Sequence, residues 1–508
     1  MMYDSLLARS FSKHEQKKLG YGAMLTCFLM AFSFFTFFSP HLAPPNLNLL
    51  LRRVGTDHKL KTLNDTRPSP PKADENTLVV SEAGHSPGAV DGPSNPSKNS
   101  SMFNVTSRGD DDHDIVKRTD NDQPVACNIL DRSDFCEVSK GDIRVDGKTG
   151  TIFIVKSEFE PSKNMSWSIR PYGRKGDKGA MDNVREWKVK VVANSGPSCS
   201  ITHNVAGMIF STGGYSGNHF HSFTDILVPL FATVRPFDGK VKFLVTDREQ
   251  QPRWFAKFET LLKGLSSYKP IDIDSQQAGH IHCFSKMIVG LKHRSRNELS
   301  IDPTSSPYTT KDFMSFLRSK YSLNRSKTIK ITKNSKRLKP RLVIIARKQS
   351  RTFTNIRQIS KLARGLGFKT LITEPINQDL SKVAQLINSC DVVLGVHGAG
   401  LTNSIFLPEN AILIQVVPFG GAEWLSTTYF GEPSKGMGIN YLEYKIGLEE
   451  STLARQYPSN HLVLRDPEEI KKQGWEEYKR IYMDNQNVHL NVSRFRPTLV
   501  KALDILRK

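Results

Sequence analysis

Three stretches of the sequence carry side chains suited to group transfer. In the first, an apolar run from 392 ends in His397-Gly398-Ala399-Gly400, just before a predicted helix. Small residues let a ligand approach the backbone closely, and free amides at a helix start favour an anion such as a diphosphate. His397 could donate a hydrogen bond to a phosphate oxygen or to a ribose. A plain strand-to-helix turn with a buried histidine fits the same pattern.

A second stretch also follows a predicted strand, and it is basic. Arg347 and Arg351 could neutralise phosphates through paired hydrogen bonds, and Asn355 could bond a base or a ribose. Ordinary surface charge is the alternative interpretation of each arginine. With the glycine turn, these residues predict the donor-binding side of a site.

The third stretch lies in the first half of the chain and offers a general base. His221 and Asp225 are four residues apart, so they share one face of a predicted helix. An imidazole or a carboxylate at a cleft can deprotonate a sugar hydroxyl. Either Asp225 is the base, or Asp225 orients His221 as the base. A pair that only braces the helix has the same spacing.

Apolar strands alternate with helices around these stretches, which predicts an α/β fold with parallel sheets covered on both faces. We expect two Rossmann-like domains facing a cleft: an acceptor-side domain at 125–325 and a donor-binding domain with C-terminal helices at 341–508. A basic linker at 326–340 joins them and is predicted to be solvated. Ligands bind at the carboxyl ends of parallel strands, so the cleft is the predicted site. A hairpin is predicted between 142 and 155, with Asp146-Gly147 in its turn.

The N-terminal segment predicts a membrane anchor. Twenty residues from 19 to 38 carry no charge, and four basic residues precede them. This length and charge asymmetry favour a signal-anchor helix at 19–39, with residues 1–18 in the cytosol. A cleaved signal peptide is the alternative, but the run is long, rich in phenylalanine and without a small-x-small cleavage site. Residues 40–124 are rich in Pro, Ser, Asn and Asp, which predicts a disordered luminal stem.

The cysteines and sequons agree with an oxidising lumen. Cys27 lies in the apolar run; Cys127 with Cys136 and Cys199 with Cys283 are candidate disulfides, and Cys390 is predicted to be a buried free thiol. Zinc or redox chemistry is not predicted, because the sequence has no Cys-x-x-Cys. The net charge of +21 fits an acidic polysaccharide, and a luminal protein has no genomic DNA to bind. Candidate N-glycosylation sites are Asn64, Asn99, Asn104, Asn164, Asn324 and Asn491.

The three stretches together resemble glycosyltransferase family 61, in the plant clade that decorates xylan. The resemblance rests on three motifs that occur in the same order as in the family: GGYSGNHFHSFTD, the Arg-x-x-x-Arg-x-x-x-Asn stretch and GVHGAGLTNSIFLPENAILIQVVPFG. It covers roughly 125–508. It implies a GT-B fold, inversion at the anomeric carbon, a UDP-pentose donor, a xylan acceptor and no metal cofactor. It further implies a single-pass type II protein of the Golgi membrane, with the catalytic domain in the lumen and complexes with other cell-wall transferases. The residues carried over are His221 and Asp225 on the acceptor side and Arg347, Arg351, Asn355, His397, Gly398, Ala399 and Gly400 on the donor side.

Within this interpretation xylose is the favoured sugar, and the alternatives are arabinofuranose on xylan or transfer to N-glycans or protein O-glycans. A hydrolase is a rival, because His-Gly-Ala-Gly is similar to an esterase oxyanion turn. That fold also needs Gly-x-Ser-x-Gly, and Gly214-Tyr-Ser-Gly-Asn lacks the last glycine. A non-catalytic polysaccharide-binding protein is the other rival, and binding of UDP would separate it from a transferase. Asp272-Ile-Asp274 is the Asp-x-Asp motif that we considered for a metal, but it lies in the wrong half for the donor.

Overall fold

The computed structural model describes residues 125–129, 132–156, 165–194, 196–275, 279–293, 297–332, 339–375 and 378–508. The predicted tail, signal anchor and stem lie outside these residues, as do Cys27 and the sequons at Asn64, Asn99, Asn104 and Asn164. Over the described ranges, no helix has both the length and the apolar character needed to cross a bilayer.

The strands form three sheets. Their bounds are β1 (Val125–Asn128), β2 (Phe135–Val138), β3 (Asp142–Asp146), β4 (Thr151–Lys156), β5 (Ser166–Ile169), β6 (Trp187–Ala193), β7 (Ile201–His203), β8 (Ala206–Ser211), β9 (Val241–Thr246), β10 (Ile271–Asp272), β11 (Ile281–Phe284), β12 (Met287–Gly290), β13 (Arg341–Ile345), β14 (Lys369–Thr373), β15 (Val392–Val396), β16 (Ile412–Val417) and β17 (Asn440–Lys445).

The helices connect and cover these sheets. Their bounds are α1 (Lys178–Met181), α2 (His219–His221), α3 (Val228–Val234), α4 (Trp254–Leu265), α5 (Thr310–Lys320), α6 (Ile356–Gly365), α7 (Leu380–Asn388), α8 (Glu423–Ser426), α9 (Glu432–Met437), α10 (Leu462–Arg465), α11 (Pro467–Lys472), α12 (Trp475–Tyr478) and α13 (Val492–Arg507). Wider π-helical turns join α2 to α3 (Ser222–Leu227) and α8 to α9 (Thr427–Gly431), and a 3₁₀ helix follows β15 (Ala399–Phe406).

The first half of the chain contains two sheets where the sequence predicted one Rossmann-like unit. One sheet has the order β1-β2-β12-β8-β9-β10 and is parallel from β12 to β10, and the other has the order β5-β6-β4-β3-β11-β7. The predicted hairpin is present, because β3 and β4 pair antiparallel around a turn at 147–150. The apolar run at 281–289 splits into β11 and β12, which belong to different sheets. An apolar cluster that includes Val145, Ile209 and Leu244 fills the space between the two sheets.

The second half contains the predicted parallel sheet, in the order β14-β13-β15-β16-β17. Its central strands β15 and β16 are buried at every position, and their sequences are nearly continuous in Val, Ile and Leu. Such runs are typical of parallel strands that are covered on both faces. One face packs on α6 and α13 through residues such as Ile344, Phe495 and Leu499.

The other face of this sheet shares its apolar core with the first half. Val343 and Val393 of the sheet belong to the same buried cluster as Phe223 and Phe313 of the first half. The edge-to-face contact of Phe223 with Phe406, at 6.0 Å between ring centroids, is part of this junction. The two halves therefore bury their facing apolar surfaces against each other.

The described ends of the basic linker have exposed lysines, Lys327, Lys330 and Lys339, and the segment is also anchored at Asp391. Asp391 Oδ1 accepts hydrogen bonds from Thr328 Oγ1 and the Ile329 amide and pairs with Arg325, while its Oδ2 accepts from the Arg341 amide. The solvated linker therefore stays a prediction, and one carboxylate fixes the backbone on either side of the segment.

Both predicted disulfides, the predicted free thiol and two of the sequons lie in the described ranges. Cys127 is bonded to Cys136, Cys199 to Cys283, and Cys390 is a buried free thiol, so all three assignments are confirmed. Among the sequons, Asn324 and Asn491 are exposed. Asn491 also caps α13, because its side-chain oxygen accepts from the amides of Ser493 and Arg494.

Candidate active site

The glycine turn and the basic stretch lie next to each other because of the strand order. In the sheet, β14 lies on one side of β13, whereas β15, β16 and β17 lie on the other side. The chain therefore leaves the neighbouring strands β13 and β15 in opposite directions and opens a crevice at their carboxyl ends. Residues 346–355 leave β13 there, and the turn at 397–400 leaves β15. The sequence placed both stretches at strand ends, and the topology makes them neighbours.

Two guanidinium groups face the bare backbone of Gly398. A side-chain Cβ at this position would lie 2.5 Å from Arg347 Nη1 and 3.0 Å from Arg351 Nη1. Gly398 also has a φ of 145°, which side chains rarely adopt. Arg351 Nη1 donates to the His397 carbonyl at 3.1 Å, and Arg347 Nε donates to the Ser350 carbonyl at 2.8 Å. The glycine therefore allows two cations to converge on the turn.

The turn continues into the 3₁₀ helix Ala399–Phe406, and its first residues reach the surface. Ala399 and Gly400 are partly exposed, whereas Leu401 and the residues after it are buried. The first amides of a helix have no carbonyl within that helix to bond. Two amides and two arginines at one accessible turn make a site for an anion with more than one negative charge.

Arg351 is held in an unusual backbone conformation. Its φ is 54°, in the left-handed region, and its amide donates to the Gln486 carbonyl at 2.6 Å. Residues outside glycine adopt this region at a cost, and they do so most often where the surroundings fix them for function. The guanidinium group is mostly buried, so its direction is set by the protein rather than by solvent.

His397 is buried at the end of β15 and is neutral. Burial, together with the charges of Arg351 and Arg347, lowers its pKa to about 3. Its Nδ1 lies 2.7 Å from the side-chain amide of Gln415, and the ring packs against Phe430 at 5.7 Å between centroids. The imidazole is therefore a fixed, uncharged polar group beside the two arginines.

Asn355 lies at the start of α6 and binds the C-terminal segment. Its Nδ2 donates to the Leu490 carbonyl at 2.8 Å, and its Oδ1 accepts from the Leu490 amide at 3.1 Å. This two-way bond occupies the groups that were predicted to bond a base or ribose. We therefore describe Asn355 as a support for the basic stretch.

In the first half, His221 and Asp225 form a hydrogen-bonded pair. His221 Nδ1 lies 2.9 Å from Asp225 Oδ2. Asp225 is fully buried, on the π-helical turn after α2, whereas the His221 side chain is 22% exposed. Since an ionised carboxylate only accepts hydrogen bonds, His221 donates from Nδ1, and in the neutral form of the ring Nε2 carries the lone pair. This is the arrangement of a histidine base oriented by a carboxylate.

Asp225 stays ionised because of neighbours that the sequence analysis missed. Burial alone would raise its pKa, but Arg174 and His221 outweigh burial and hold the pKa well below its usual range. Arg174 Nη2 lies 2.8 Å from Asp225 Oδ1 and 3.1 Å from Glu298 Oε2, and Tyr172 donates to Asp225 Oδ2 at 2.9 Å. Arg132 also pairs with Glu298. Two buried carboxylates and two arginines therefore hold the base in place.

The α2 region of the first half touches the donor-side turn of the second half. Asn218 caps α2 by accepting from the Phe220 amide, and His219 Nε2 lies 3.1 Å from Asn403 Oδ1 in the 3₁₀ helix. Phe220 packs on Tyr429 at 5.1 Å, and Tyr429 packs on His397 at 6.3 Å between ring centroids. The stretches that carry His221 and His397 are thus joined by one aromatic contact chain. Tyr429 lies on a second π-helical turn, and such turns are frequent at functional sites.

The second aspartate of the Asp-x-Asp motif binds residues of the first half of the chain. Asp274 Oδ2 accepts from Thr246 Oγ1 and from the Asp247 amide, and Asp274 also pairs with Arg185. Among the residues described, no group of three or more His, Cys, Asp or Glu side chains is arranged to hold a metal ion.

Comparisons with known proteins agree on one class. The family model "Glycosyltransferase 61" matches residues 219–414, which include the pair of His221 and Asp225, the basic stretch and the glycine turn. "Alpha-1,3-arabinosyltransferase XAT3" of Oryza sativa subsp. japonica is 40% identical over 78% of this chain and 69% of its own length. "Beta-1,2-xylosyltransferase XYXT1" of the same organism is 40% identical over 75% and 84%, and "Xylan glycosyltransferase MUCI21" of Arabidopsis thaliana is 33% identical over 76% and 80%.

The fold and the relatives together define a glycosyltransferase. The chain belongs to glycosyltransferase family 61.

The buried histidines predict a stability that depends on pH. Burial lowers the pKa of His219 and His397 to about 3 and that of His293 to about 4. The unfolded chain binds these protons near pH 6.5. Between pH 6.5 and about 4 it therefore binds more protons than the folded chain, and stability falls as the pH falls, by roughly 1.4 kcal/mol per pH unit and histidine.

We expect urea unfolding to give a free energy of unfolding that decreases as the pH falls from 6.5 towards 4.5. Glu298 continues the loss at lower pH: burial opposes ionisation, but Arg174 and Arg132 lower its pKa to about 2, so its contribution disappears as the pH falls from 4.5 through 2. Equal stability at pH 7 and pH 5 would contradict the assignment of neutral buried imidazoles.

Proposed function

We propose that this protein transfers a pentose from a UDP-sugar to the xylan backbone, with xylose as the favoured sugar. The observation that carries the proposal is the convergence of Arg347 and Arg351 on the turn at Gly398, where the parallel sheet changes strand order. The relatives support a pentose and xylan, since their names include an arabinosyltransferase, a xylosyltransferase and a xylan glycosyltransferase.

In this proposal the second half binds the donor, and the first half supplies the base from across a GT-B cleft. The diphosphate of UDP lies on the amides that follow Gly398 and between the two arginines. These groups stabilise the negative charge that grows on the leaving diphosphate as the anomeric bond breaks. They are fixed before the reaction, so the reaction itself needs little reorganisation.

The acceptor hydroxyl is activated by His221. As the hydroxyl oxygen attacks the anomeric carbon, its proton passes to His221 Nε2, and the bond to the diphosphate oxygen breaks with its electron pair leaving on UDP. Attack from the face opposite the leaving group inverts the anomeric configuration. Asp225 orients His221 through Nδ1 and stabilises the imidazolium that forms. This assigns the base to His221 and the orienting role to Asp225.

The cellular setting is inferred from the sequence and from the disulfides. The uncharged run at 19–38 with its preceding basic residues supports a single-pass type II anchor in the Golgi membrane, with the catalytic part in the lumen. The disulfides of Cys127–Cys136 and Cys199–Cys283 support an oxidising compartment. We further propose that transfer requires no metal ion and that the enzyme works in complexes with other cell-wall transferases.

The proposal is tested by a donor screen with the full-length protein in detergent and xylo-oligosaccharide acceptors. Mass spectrometry should detect pentose addition with UDP-xylose, and a parallel reaction with UDP-arabinofuranose measures the alternative sugar. Both reactions are run with EDTA and with added Mn²⁺. Failure to transfer either pentose, with intact UDP binding, would contradict the assigned donor; failure to bind UDP would contradict the donor site itself.

A further inference from the structure

A chain of hydrogen bonds leads from His397 to a carboxylate outside the donor turn. Gln415 lies in the middle of β16, paired in register with Glu443 of β17. The phenol oxygen of Tyr441 lies 3.0 Å from Gln415 Oε1 and 2.9 Å from Glu443 Oε2, and Gln415 Nε2 lies 2.7 Å from His397 Nδ1. The chain therefore runs carboxylate, phenol, amide, imidazole.

In the orientation in which the Gln415 amide is placed, the chain has one proton too few for its hydrogen bonds. A phenol has one proton, yet Tyr441 faces two acceptors, the Gln415 carbonyl oxygen and the Glu443 carboxylate. Whichever accepts the proton, the other oxygen is left about 3 Å from a phenol lone pair. If Glu443 accepts the proton, the fully buried Gln415 oxygen is left without this donor and away from bulk solvent.

Rotating the amide by 180° satisfies every group. Amide oxygen and nitrogen occupy nearly the same positions and are assigned from their hydrogen bonds. In the rotated orientation the Gln415 nitrogen donates to Tyr441, the phenol donates to Glu443, and the Gln415 oxygen accepts from His397 Nδ1–H. Burial and Glu443 raise the pKa of Tyr441 well above its usual range, so the phenol keeps the proton that it donates.

We infer that Glu443, through Tyr441 and Gln415, fixes the proton of His397 on Nδ1, so that Nε2 accepts a hydrogen bond from a hydroxyl of the bound nucleotide sugar. A phosphate oxygen has no proton to give to this nitrogen. The arginines and the turn amides then bind the diphosphate, and His397 accepts a hydrogen bond from a hydroxyl of the ribose or the pentose. The sequence predicted a donating His397, so the inference reverses its role. It rests on the proposed donor site.

Other groups near the ring do not offer a better partner for Nδ1. Ser426 Oγ lies 3.5 Å away, at the limit of a hydrogen bond, whereas the Gln415 amide lies at 2.7 Å. At the other end, Lys445 Nζ lies 3.7 Å from Glu443 and also 3.7 Å from Glu423. Glu443 is thus a positioning residue that acts through two others.

The tautomer can be read directly in ligand-free protein. Full-length protein labelled with ¹⁵N-histidine is measured by long-range ¹H–¹⁵N correlation, and the His397 signals are identified by their loss in His397→Gln. We expect a protonated Nδ1 and an unprotonated Nε2 in the wild type. Glu443→Gln should populate the Nε2–H form, because a glutamine can donate to Tyr441 and so reverse the chain. Glu423→Gln, which removes the other carboxylate beside Lys445, should leave the wild-type tautomer.

Binding assigns the ligand hydroxyl. Glu443→Gln should weaken donor binding about fivefold, the effect of one hydrogen bond, without changing the KM for the acceptor, whereas Glu423→Gln should change neither. A loss already present with UDP alone assigns the ribose, and a loss with UDP-xylose only assigns the pentose. A protonated Nε2 in the wild type, or an unchanged tautomer in Glu443→Gln, would overturn the inference. If the wild type binds no UDP, both the proposed function and the proposed ligand of His397 are wrong. The His397 tautomer is still decided by the spectrum.

Discussion

Asp225→Asn is expected to bind UDP as the wild type does and to lose sugar transfer by roughly a thousandfold or more. The buried carboxylate holds the His221 proton on Nδ1 and stabilises the imidazolium that forms during attack. An asparagine can instead donate to Nδ1, which places the proton on Nε2 and removes the base. Transfer is measured with UDP-xylose and xylohexaose, and UDP binding by calorimetry.

Glu298→Gln is the matched control for this variant. It removes a second buried carboxylate bonded to the same Arg174 but leaves the pair of Asp225 and His221 intact. If the two variants lost transfer equally, the effect would come from the charge network as a whole, and the assignment of His221 as the oriented base would be wrong. Circular dichroism establishes that both variants are folded.

Arg351→Ala is expected to weaken UDP binding by about tenfold to a hundredfold, which corresponds to the loss of a charge-assisted hydrogen bond of about 1.5–3 kcal/mol. The guanidinium group is mostly buried and lies against the turn at Gly398, so solvent screens it little. Affinity for UDP should also become less dependent on salt, since one positive charge is removed from the site. Isothermal titration at two salt concentrations measures both effects.

Lys348→Ala is the control for charge in the same loop. The Lys348 side chain is 79% exposed and pairs with Glu374. Its removal also lowers the positive charge of the loop by one, but it should leave UDP affinity nearly unchanged. Equal losses in the two variants would indicate a diffuse electrostatic attraction rather than a built diphosphate site.

The donor side of the site could be predicted because its signals are local in sequence. An apolar strand, a glycine turn and two arginines at a strand end are each visible within ten residues, and parallel-sheet geometry brings such ends together. The pair of His221 and Asp225 was visible for the same reason, through the spacing of one helix face. The spacing did not indicate which member is the base. The full burial of Asp225 favours His221 as the base.

The remaining parts of the site depend on contacts that are distant in sequence. Arg174 is 51 residues from Asp225 and 124 from Glu298, and no periodic pattern relates the three. The sequence also failed to predict the role of Asn355, because its partner Leu490 is 135 residues away. The second sheet of the first half was missed because its short strands lie between turns and resemble isolated hairpins.

The apolar cluster that runs from Val343 and Val393 to Phe223 and Phe313 has a further consequence. Cutting the chain between the halves would expose that surface on both fragments, so neither fragment is suited to separate expression. The same contact makes large rigid-body separation of the halves costly, since it would wet buried aromatic rings. Substrate entry is then better served by local rearrangement at the π-helical turns Ser222–Leu227 and Thr427–Gly431 than by a wide hinge opening.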